Sequence, residues 1–170
     1  MILNLKEFDS FPARKVLRGD QKDLDLEFDS IRSLNRIEFS LEIQKSGEEY
    51  FCQGEARASV QMTCARCLGE FDQDLVNSTD FIVCTREQAL ANRDVVDNED
   101  YAYFQGQDLQ ADVSHIVRQT LITAVSMKPL CSEDCRGLCP QCGTNLNENS
   151  CKCRKTNIDQ RWEGLKKLSG

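Results

Sequence analysis

Eight of the ten cysteines in this 170-residue chain fall into four close pairs, a spacing at which thiols can act together. The pairs are Cys64/Cys67, Cys131/Cys135, Cys139/Cys142 and Cys151/Cys153. The other two, Cys52 and Cys84, stand alone within strand-like patterns, where cysteine behaves as a small hydrophobic residue. We therefore predict that Cys52 and Cys84 fill the core and that the eight paired thiols form the site.

Three kinds of chemistry use paired cysteines, and the pattern favours zinc. Disulfides need an oxidising compartment, and the N-terminus, M-I-L-N-L-K-E-F-D-S, becomes acidic before the apolar core of a signal peptide could form. A redox C-x-x-C lies at a helix N-terminus, whereas Cys64 and Cys67 lie between two strand patterns. Zinc is bound by two close pairs of thiolates. In C-P-Q-C-G (139–143) the glycine lets turn amides point at sulfur; C-A-R-C-L-G (64–69) fits this knuckle loosely.

The sequence indicates the identity of the metal more clearly than it indicates how the eight thiols are grouped into sites. One site would combine Cys139, Cys142, Cys151 and Cys153 across a short loop. The other would combine Cys64, Cys67, Cys131 and Cys135, joining a strand hairpin to the segment that follows the helix. An alternative is one zinc bound within the last six cysteines, with Cys64 and Cys67 reduced and unused. We predict two zinc ions, with one as the alternative.

Strands are predicted to position the first cysteine pair. Apolar and polar residues alternate over 24–28, 37–43 and 50–62, the pattern of half-buried antiparallel strands. A fourth strand is a candidate at about 70–83. Ser46-Gly47 predicts a turn, and the aromatic residues around Tyr101 suggest a short edge strand or a loop anchor. Strands joined by such tight turns form a meander or an open barrel.

One amphipathic helix is predicted at about 109–126, with Asp108 as its N-cap and Pro129 beyond its end. His115 falls opposite its apolar stripe, so we expect this lone histidine to face solvent. A short terminal helix is predicted at about 159–168. The fold class is therefore α+β: an acidic body of mainly antiparallel strands (1–127) and a cysteine-rich, zinc-binding segment with the terminal helix (128–170).

Composition and charge narrow the class of protein. With 40% hydrophobic and 29% charged residues, the chain is neither collagen-like nor disordered. It has no stretch of about 18 apolar residues, so we expect a cytoplasmic protein that does not enter membranes. The net charge of −7 divides into −10 over 1–127 and +3 over 128–170. Such asymmetry predicts two surfaces with different partners.

Three stretches resemble the bacterial YceD-like family. They are P-L-C-S-E-D-C-R-G-L-C-P-Q-C-G-T-N-L-N (129–147), C-A-R-C-L-G-E-F (64–71) and N-I-D-Q-R-W-E-G-L-K-K-L (157–168). The resemblance implies a factor needed for the accumulation of large-subunit ribosomal RNA in bacteria and plastids. It implies no catalytic residue, and it does not say which cysteines share a metal.

The leading hypothesis is accordingly a non-enzymatic factor for ribosome biogenesis that is needed for the accumulation or processing of 23S ribosomal RNA. It would act as a binding scaffold whose segments are held together by zinc. The alternatives are a zinc- or thiol-dependent enzyme and a zinc-ribbon transcription regulator. An acidic body repels phosphates and attracts basic proteins. We therefore expect a basic large-subunit ribosomal protein, or a pre-ribosomal RNA–protein surface, as partner, and only weak binding to bare RNA, through Arg136, Lys152, Arg154 and Lys155.

Overall fold

Long alternating strands dominate the architecture. The computed structural model describes residues 1–24, 31–91, 100–104 and 108–153. Its strands are β1 (Ile2–Asn4), β2 (Ala13–Gly19), β3 (Ile31–Ser46), β4 (Glu49–Thr63), β5 (Glu70–Cys84), β6 (Tyr101–Tyr103) and β7 (Gln110–Asp112). The helices are α1 (Gln21–Leu24), α2 (Arg86–Ala91) and α3 (Ser114–Ala124), with a 3₁₀ turn at Leu5–Glu7.

Five strands form one sheet in the order β2-β3-β4-β5-β6. The first four are antiparallel and follow the chain, which confirms the meander. The predicted turn between β3 and β4 is present, with Gly47 at φ +64°. The short strand at Tyr101–Tyr103 is also confirmed, but it runs parallel to the end of β5. The α+β prediction therefore holds.

The core lies on one face of this sheet. In β4 every second residue is buried, and the ring of Phe39 in β3 is fully buried and stacks on Phe81 of β5. Helix α3 covers this face with its apolar side, and β1 pairs with β7 beside it. Full burial of a large apolar side chain in this core contributes about 1.5–3 kcal/mol to the stability of the fold. Cys52 and Cys84 are buried as predicted, at 1% and 0% exposure.

The amphipathic helix begins five residues later than predicted. Asp108 does not cap it, because its carboxylate pairs with Lys6 Nζ at 2.8 Å. The chain then forms β7, and the carboxylate of Asp112 accepts the Ser114 amide at 2.9 Å, where α3 starts. His115 is exposed as predicted, with Nε2 3.1 Å from the carbonyl oxygen of Tyr101.

Other differences concern short or weakly patterned segments. The strand predicted at 24–28 is wrong at Leu24, which ends α1; residues 25–28 lie outside the described residues, as does the terminal helix predicted at 159–168. The pattern missed β1, which is only three residues long. It also missed β2, where Lys15 lies on the inward face and pairs with Glu7. No helix in the described ranges is long and apolar enough to cross a membrane.

The close approach of Phe39 to Gly54 generates a stability prediction. A Cβ at Gly54 would lie 2.4 Å from Phe39 Cζ, so the buried ring would have to shift within the core. We expect Gly54→Ala to lower the free energy of unfolding by about 1–3 kcal/mol through overpacking, measured by urea denaturation. In a Phe39→Leu background, Gly54→Ala should lower the free energy of unfolding by a smaller amount. An equal cost in both backgrounds would contradict the packing argument.

Candidate metal centres

The first cysteine cluster joins the sheet to the segment after α3. Cys64 and Cys67 lie in the connection between β4 and β5, and Cys131 and Cys135 come from the C-terminal segment. The Sγ atoms of Cys64 and Cys135 are 3.7 Å apart, as are those of Cys67 and Cys131. All four Sγ atoms lie within 4.8 Å of one another.

The second cluster is formed entirely by the C-terminal segment. Cys139, Cys142, Cys151 and Cys153 place their Sγ atoms within 4.8 Å of one another. Cys139 is buried and Cys142 is exposed, so this cluster lies closer to solvent than the first. The structure therefore brings the eight cysteines together in the same two groups into which their spacing divides them.

The distances suit a metal ion and not a disulfide. A tetrahedron with Zn–S bonds of about 2.3 Å has S···S edges of roughly 3.8 Å, close to the 3.7 Å observed. A disulfide would need a sulfur–sulfur distance of about 2.05 Å, and all ten cysteines are free thiols. A donor set of four thiolates selects zinc or an iron–sulfur centre over harder cations. Metal binding itself stays a prediction.

The two C-x-x-C knuckles have the same backbone hydrogen bonds. In the first, the amide of Cys64 donates to the carbonyl of Gly69 at 2.9 Å, and that of Leu68 donates to Cys64 at 3.0 Å. In the second, Cys139 donates to Thr144 and Gly143 donates to Cys139, both at 2.9 Å. Leu68 and Gly143 both have positive φ, 58° and 71°. The first knuckle, the looser match in sequence, is thus equivalent in structure.

The surroundings of the clusters favour ionised sulfur at selected positions. Burial raises the pKa of the Cys64 thiol, but backbone amides of Cys131, Cys67 and Arg66 donate to its sulfur and lower the pKa to about 6. A hydrogen bond from the Thr144 hydroxyl, with others, lowers the pKa of Cys142 to about 6. These contacts favour the thiolate form of both sulfurs.

The neighbouring sulfurs favour the protonated form of a second thiol in each cluster. The hydrogen bond that the Cys131 thiol shares with Cys135 raises the pKa of Cys131 to about 12. The bond between Cys153 and Cys142 does the same for Cys153, again to about 12. Four thiolates this close repel one another, so full ionisation of a cluster needs a cation among them.

Arg66 ties the first knuckle to the C-terminal segment. Its guanidinium Nη1 donates to the carbonyl oxygen of Cys135 at 3.1 Å, and its own carbonyl accepts the Leu138 amide at 3.2 Å. Gly137 has φ +70°, and a Cβ there would lie 3.1 Å from the Arg66 carbonyl oxygen. Only glycine therefore fits this approach without strain.

Asn147 links the two clusters, and sequence reasoning assigned it no role. It lies in the loop between Cys142 and Cys151 of the second cluster, yet its Nδ2 donates to Cys135 Sγ of the first at 3.3 Å. Its Oδ1 accepts the Arg136 amide at 2.7 Å. The only signal was its place at the end of the cysteine-rich motif 129–147. Such outer hydrogen bonds orient ligands and tune metal affinity.

Two of the four predicted phosphate-contacting residues belong to the described part of the chain. Arg136 and Lys152 are exposed beside the clusters. Arg154 and Lys155 lie outside the described residues. The role of all four residues in binding RNA stays a prediction.

We expect the purified protein to carry two metal ions. Native mass spectrometry should show a mass increment for two zinc ions that a chelator removes. Cys142→Ser should lose one ion and make residues 139–153 protease-sensitive while the sheet stays folded, because this stretch depends on the cluster for its order. Cys84→Ala, a thiol outside both clusters, should keep both ions. Unchanged protection of the segment in Cys142→Ser would contradict this prediction.

Asn147→Ala should loosen the first cluster although Asn147 lies in the loop of the second. Loss of one outer hydrogen bond lowers metal affinity by roughly 10–100-fold, so the variant should release its first zinc to a chromogenic chelator correspondingly faster. Asn149→Ala, an exposed asparagine in the same loop, is the matched control and should release zinc at the native rate. Equal rates for both variants would show that Asn147 does not couple the clusters.

Comparison with known proteins connects this geometry to one family. The family model described as "Large ribosomal RNA subunit accumulation protein YceD" matches residues 52–169, a range that includes all eight clustered cysteines. No solved structure matches the chain.

Three relatives extend the comparison. A chloroplastic "Large ribosomal RNA subunit accumulation protein YCED homolog 1" of Zea mays is 33% identical over 76 residues, 44% of this chain and 25% of that protein. The Arabidopsis thaliana protein of the same name is 22% identical over 156 residues, 78% of this chain and 48% of its own length. An uncharacterised Mycobacterium tuberculosis protein is 26% identical over 138 residues, 79% of this chain and 62% of that protein.

The chain spans a quarter to about half of the plant proteins it matches. The family model, by contrast, covers the chain from the middle of the sheet through both cysteine clusters. The chain therefore belongs to the YceD family.

Proposed function

We propose that this protein is a non-enzymatic factor needed for the accumulation of large-subunit ribosomal RNA, the 23S species in bacteria. The observation that carries the proposal is the family match over 52–169, which includes both cysteine clusters. Plant relatives in this comparison are named for accumulation of that RNA. In a bacterial cell this work takes place in the cytoplasm, where thiols stay reduced.

A structural role for the clusters supports a scaffold over an enzyme. Catalytic zinc has three protein ligands and keeps one position open for water, whereas sites with four thiolates are closed and structural. In each cluster the chain supplies four sulfur atoms within 4.8 Å, so a bound zinc ion has no free position. Zinc bound there would fix the C-terminal segment against the sheet and supply no chemistry to a substrate.

The charge distribution supports a protein partner, or a formed RNA–protein surface, over bare RNA. Residues 1–127 carry a formal −10 and residues 128–170 a formal +3. Four thiolates around one zinc ion add a net charge of about −2 per site, which further reduces the attraction to phosphates. We therefore propose that a basic large-subunit ribosomal protein, or a pre-ribosomal surface that includes one, is the partner.

Deletion and complementation test the proposed function. Cells that lack the gene should accumulate less 23S RNA relative to 16S RNA, and the native gene should restore the ratio. Cys64→Ser together with Cys135→Ser should fail to restore it, because the segment loses its attachment to the sheet. Cys84→Ala should restore it fully. A normal ratio in the deleted cells would overturn the proposal.

Separate titrations test the preference for a protein partner. At physiological salt, bare large-subunit RNA should bind weakly and with a shallow salt dependence, because few phosphates are neutralised. Purified basic ribosomal proteins should bind more tightly. Tight binding to bare RNA alone, abolished by changing Lys152, Arg154 and Lys155 to Glu, would contradict the preference and make the basic tail the functional surface.

A further inference from the structure

The second face of the sheet is open in the part of the chain that the structure describes. Core residues, β1, β7 and α3 all lie against the other face. Strand β5 shows the division clearly, because its even-numbered residues from 70 to 80 are all exposed. The open face is thus a continuous surface across β2, β3, β4 and β5.

Charge on this open face is segregated by strand. Three arginines on β2 and β4 form ion pairs with glutamates on the same face: Arg14–Glu42 at 3.1 Å, Arg18–Glu38 at 3.1 Å and Arg57–Glu55 at 2.6 Å. These pairs neutralise the β2–β4 side.

Strand β5 keeps its negative charge. Its exposed row includes the carboxylates of Glu70, Asp72, Asp74 and Asp80. Asp74 accepts a hydrogen bond from the Ser59 hydroxyl. Among the described residues, none forms an ion pair with the other three carboxylates.

Apolar side chains lie between these carboxylates. Val76 is 50% exposed in the same row, and Phe51 of β4 is 43% exposed. Phe51 pairs in register with Ile82, and both line a shallow depression together with Asp80. The surface therefore combines negative charge with exposed apolar contacts, which suits the charged heads and aliphatic stems of lysine and arginine.

We propose that this β5 row is a docking surface for an extended, lysine- or arginine-rich protein segment. The proposal rests on the proposed function and locates its partner on the body. Residues 70, 72 and 74 repeat every second position, about 6.8 Å apart along a strand. An extended segment with a basic residue at every second position has the same repeat, so its charges and the carboxylates fall in register.

RNA fits this surface less well than a basic segment. Phosphates would meet the carboxylates of β5 as like charges, and three of the arginines on this face, Arg14, Arg18 and Arg57, are already engaged in ion pairs. The exposed side chains of Val76 and Phe51 offer no donors to phosphate oxygens.

Peptide binding by the full-length, zinc-loaded protein tests the docking surface. The probe is a synthetic peptide of alternating lysine and threonine, compared by fluorescence anisotropy with a peptide of the same composition whose lysines form one block. The alternating peptide should bind more tightly. Asp72→Asn with Asp80→Asn should weaken its binding by about fivefold, since two exposed charge pairs are lost.

The matched control removes two exposed carboxylates elsewhere. Asp9→Asn with Glu87→Gln changes the net charge by the same amount, and both residues are exposed outside the open face. This variant should bind the alternating peptide within about twofold of the native chain. Equal weakening in both variants, equal affinity for the two peptides, or displacement of the peptide by a duplex RNA would overturn the proposal.

Failure of the docking surface is distinguishable from failure of the proposed function. If the native chain restores 23S RNA in deleted cells but does not bind the peptide, only the docking surface is wrong. If the native chain does not restore the RNA, the proposed function is wrong whatever the peptide does.

Discussion

Grouping of four thiols from distant parts of the chain is the constraint on which the C-terminal segment depends. Among residues 130–153 the buried hydrophobic side chains are those of Cys135 and Cys139 alone. Ordering a residue costs about 1–2 kcal/mol of backbone entropy, and this segment has almost no apolar burial to offset it. Structural zinc contributes roughly 10–16 kcal/mol in small peptides, enough to change the balance. Metal bound by the two clusters would therefore stabilise this segment, as the apolar core stabilises the sheet.

The sheet and the clusters form a hierarchy. The first knuckle connects two fifteen-residue strands that pair along their whole length, so Cys64 and Cys67 are positioned before any metal binds. Phe71 of β5 packs against this cluster, and so does Leu138 of the C-terminal segment. The second cluster takes all four of its cysteines from the C-terminal segment. Three residues attach this segment to the first knuckle and cluster. Arg66 Nη1 donates to the Cys135 carbonyl, Asn147 Nδ2 donates to Cys135 Sγ, and the backbone of Gly137 lies close to the Arg66 carbonyl.

The sequence predicts the strands that have a long alternating pattern and the cysteines whose pairing indicates a specific chemistry. Strands β3 and β4 follow period-two alternation. Eight paired cysteines favour two groups of four, although their spacing alone leaves open a single site within the last six cysteines. Asp108 could not show where α3 starts, because its carboxylate pairs with Lys6 and the chain then forms β7. The residue that precedes the helix is Val113, which makes no side-chain capping hydrogen bond. The roles of Asn147 and Arg66 depend on contacts between residues 12 and 69 positions apart, which no local pattern encodes.

Leu68 shows how strongly the first cluster determines its own backbone. It adopts φ +58° at the position where the second knuckle has Gly143, although a left-handed conformation costs a non-glycine residue about 1–2 kcal/mol. Its side chain is 65% exposed, so burial does not offset that cost. The Leu68 amide is held by the Cys64 carbonyl at 3.0 Å, and this bond closes the turn that brings Cys64 and Cys67 together. That strain would be small beside the binding energy of the structural zinc ion that we propose for this cluster, so the knuckle could tolerate leucine where the second knuckle has glycine.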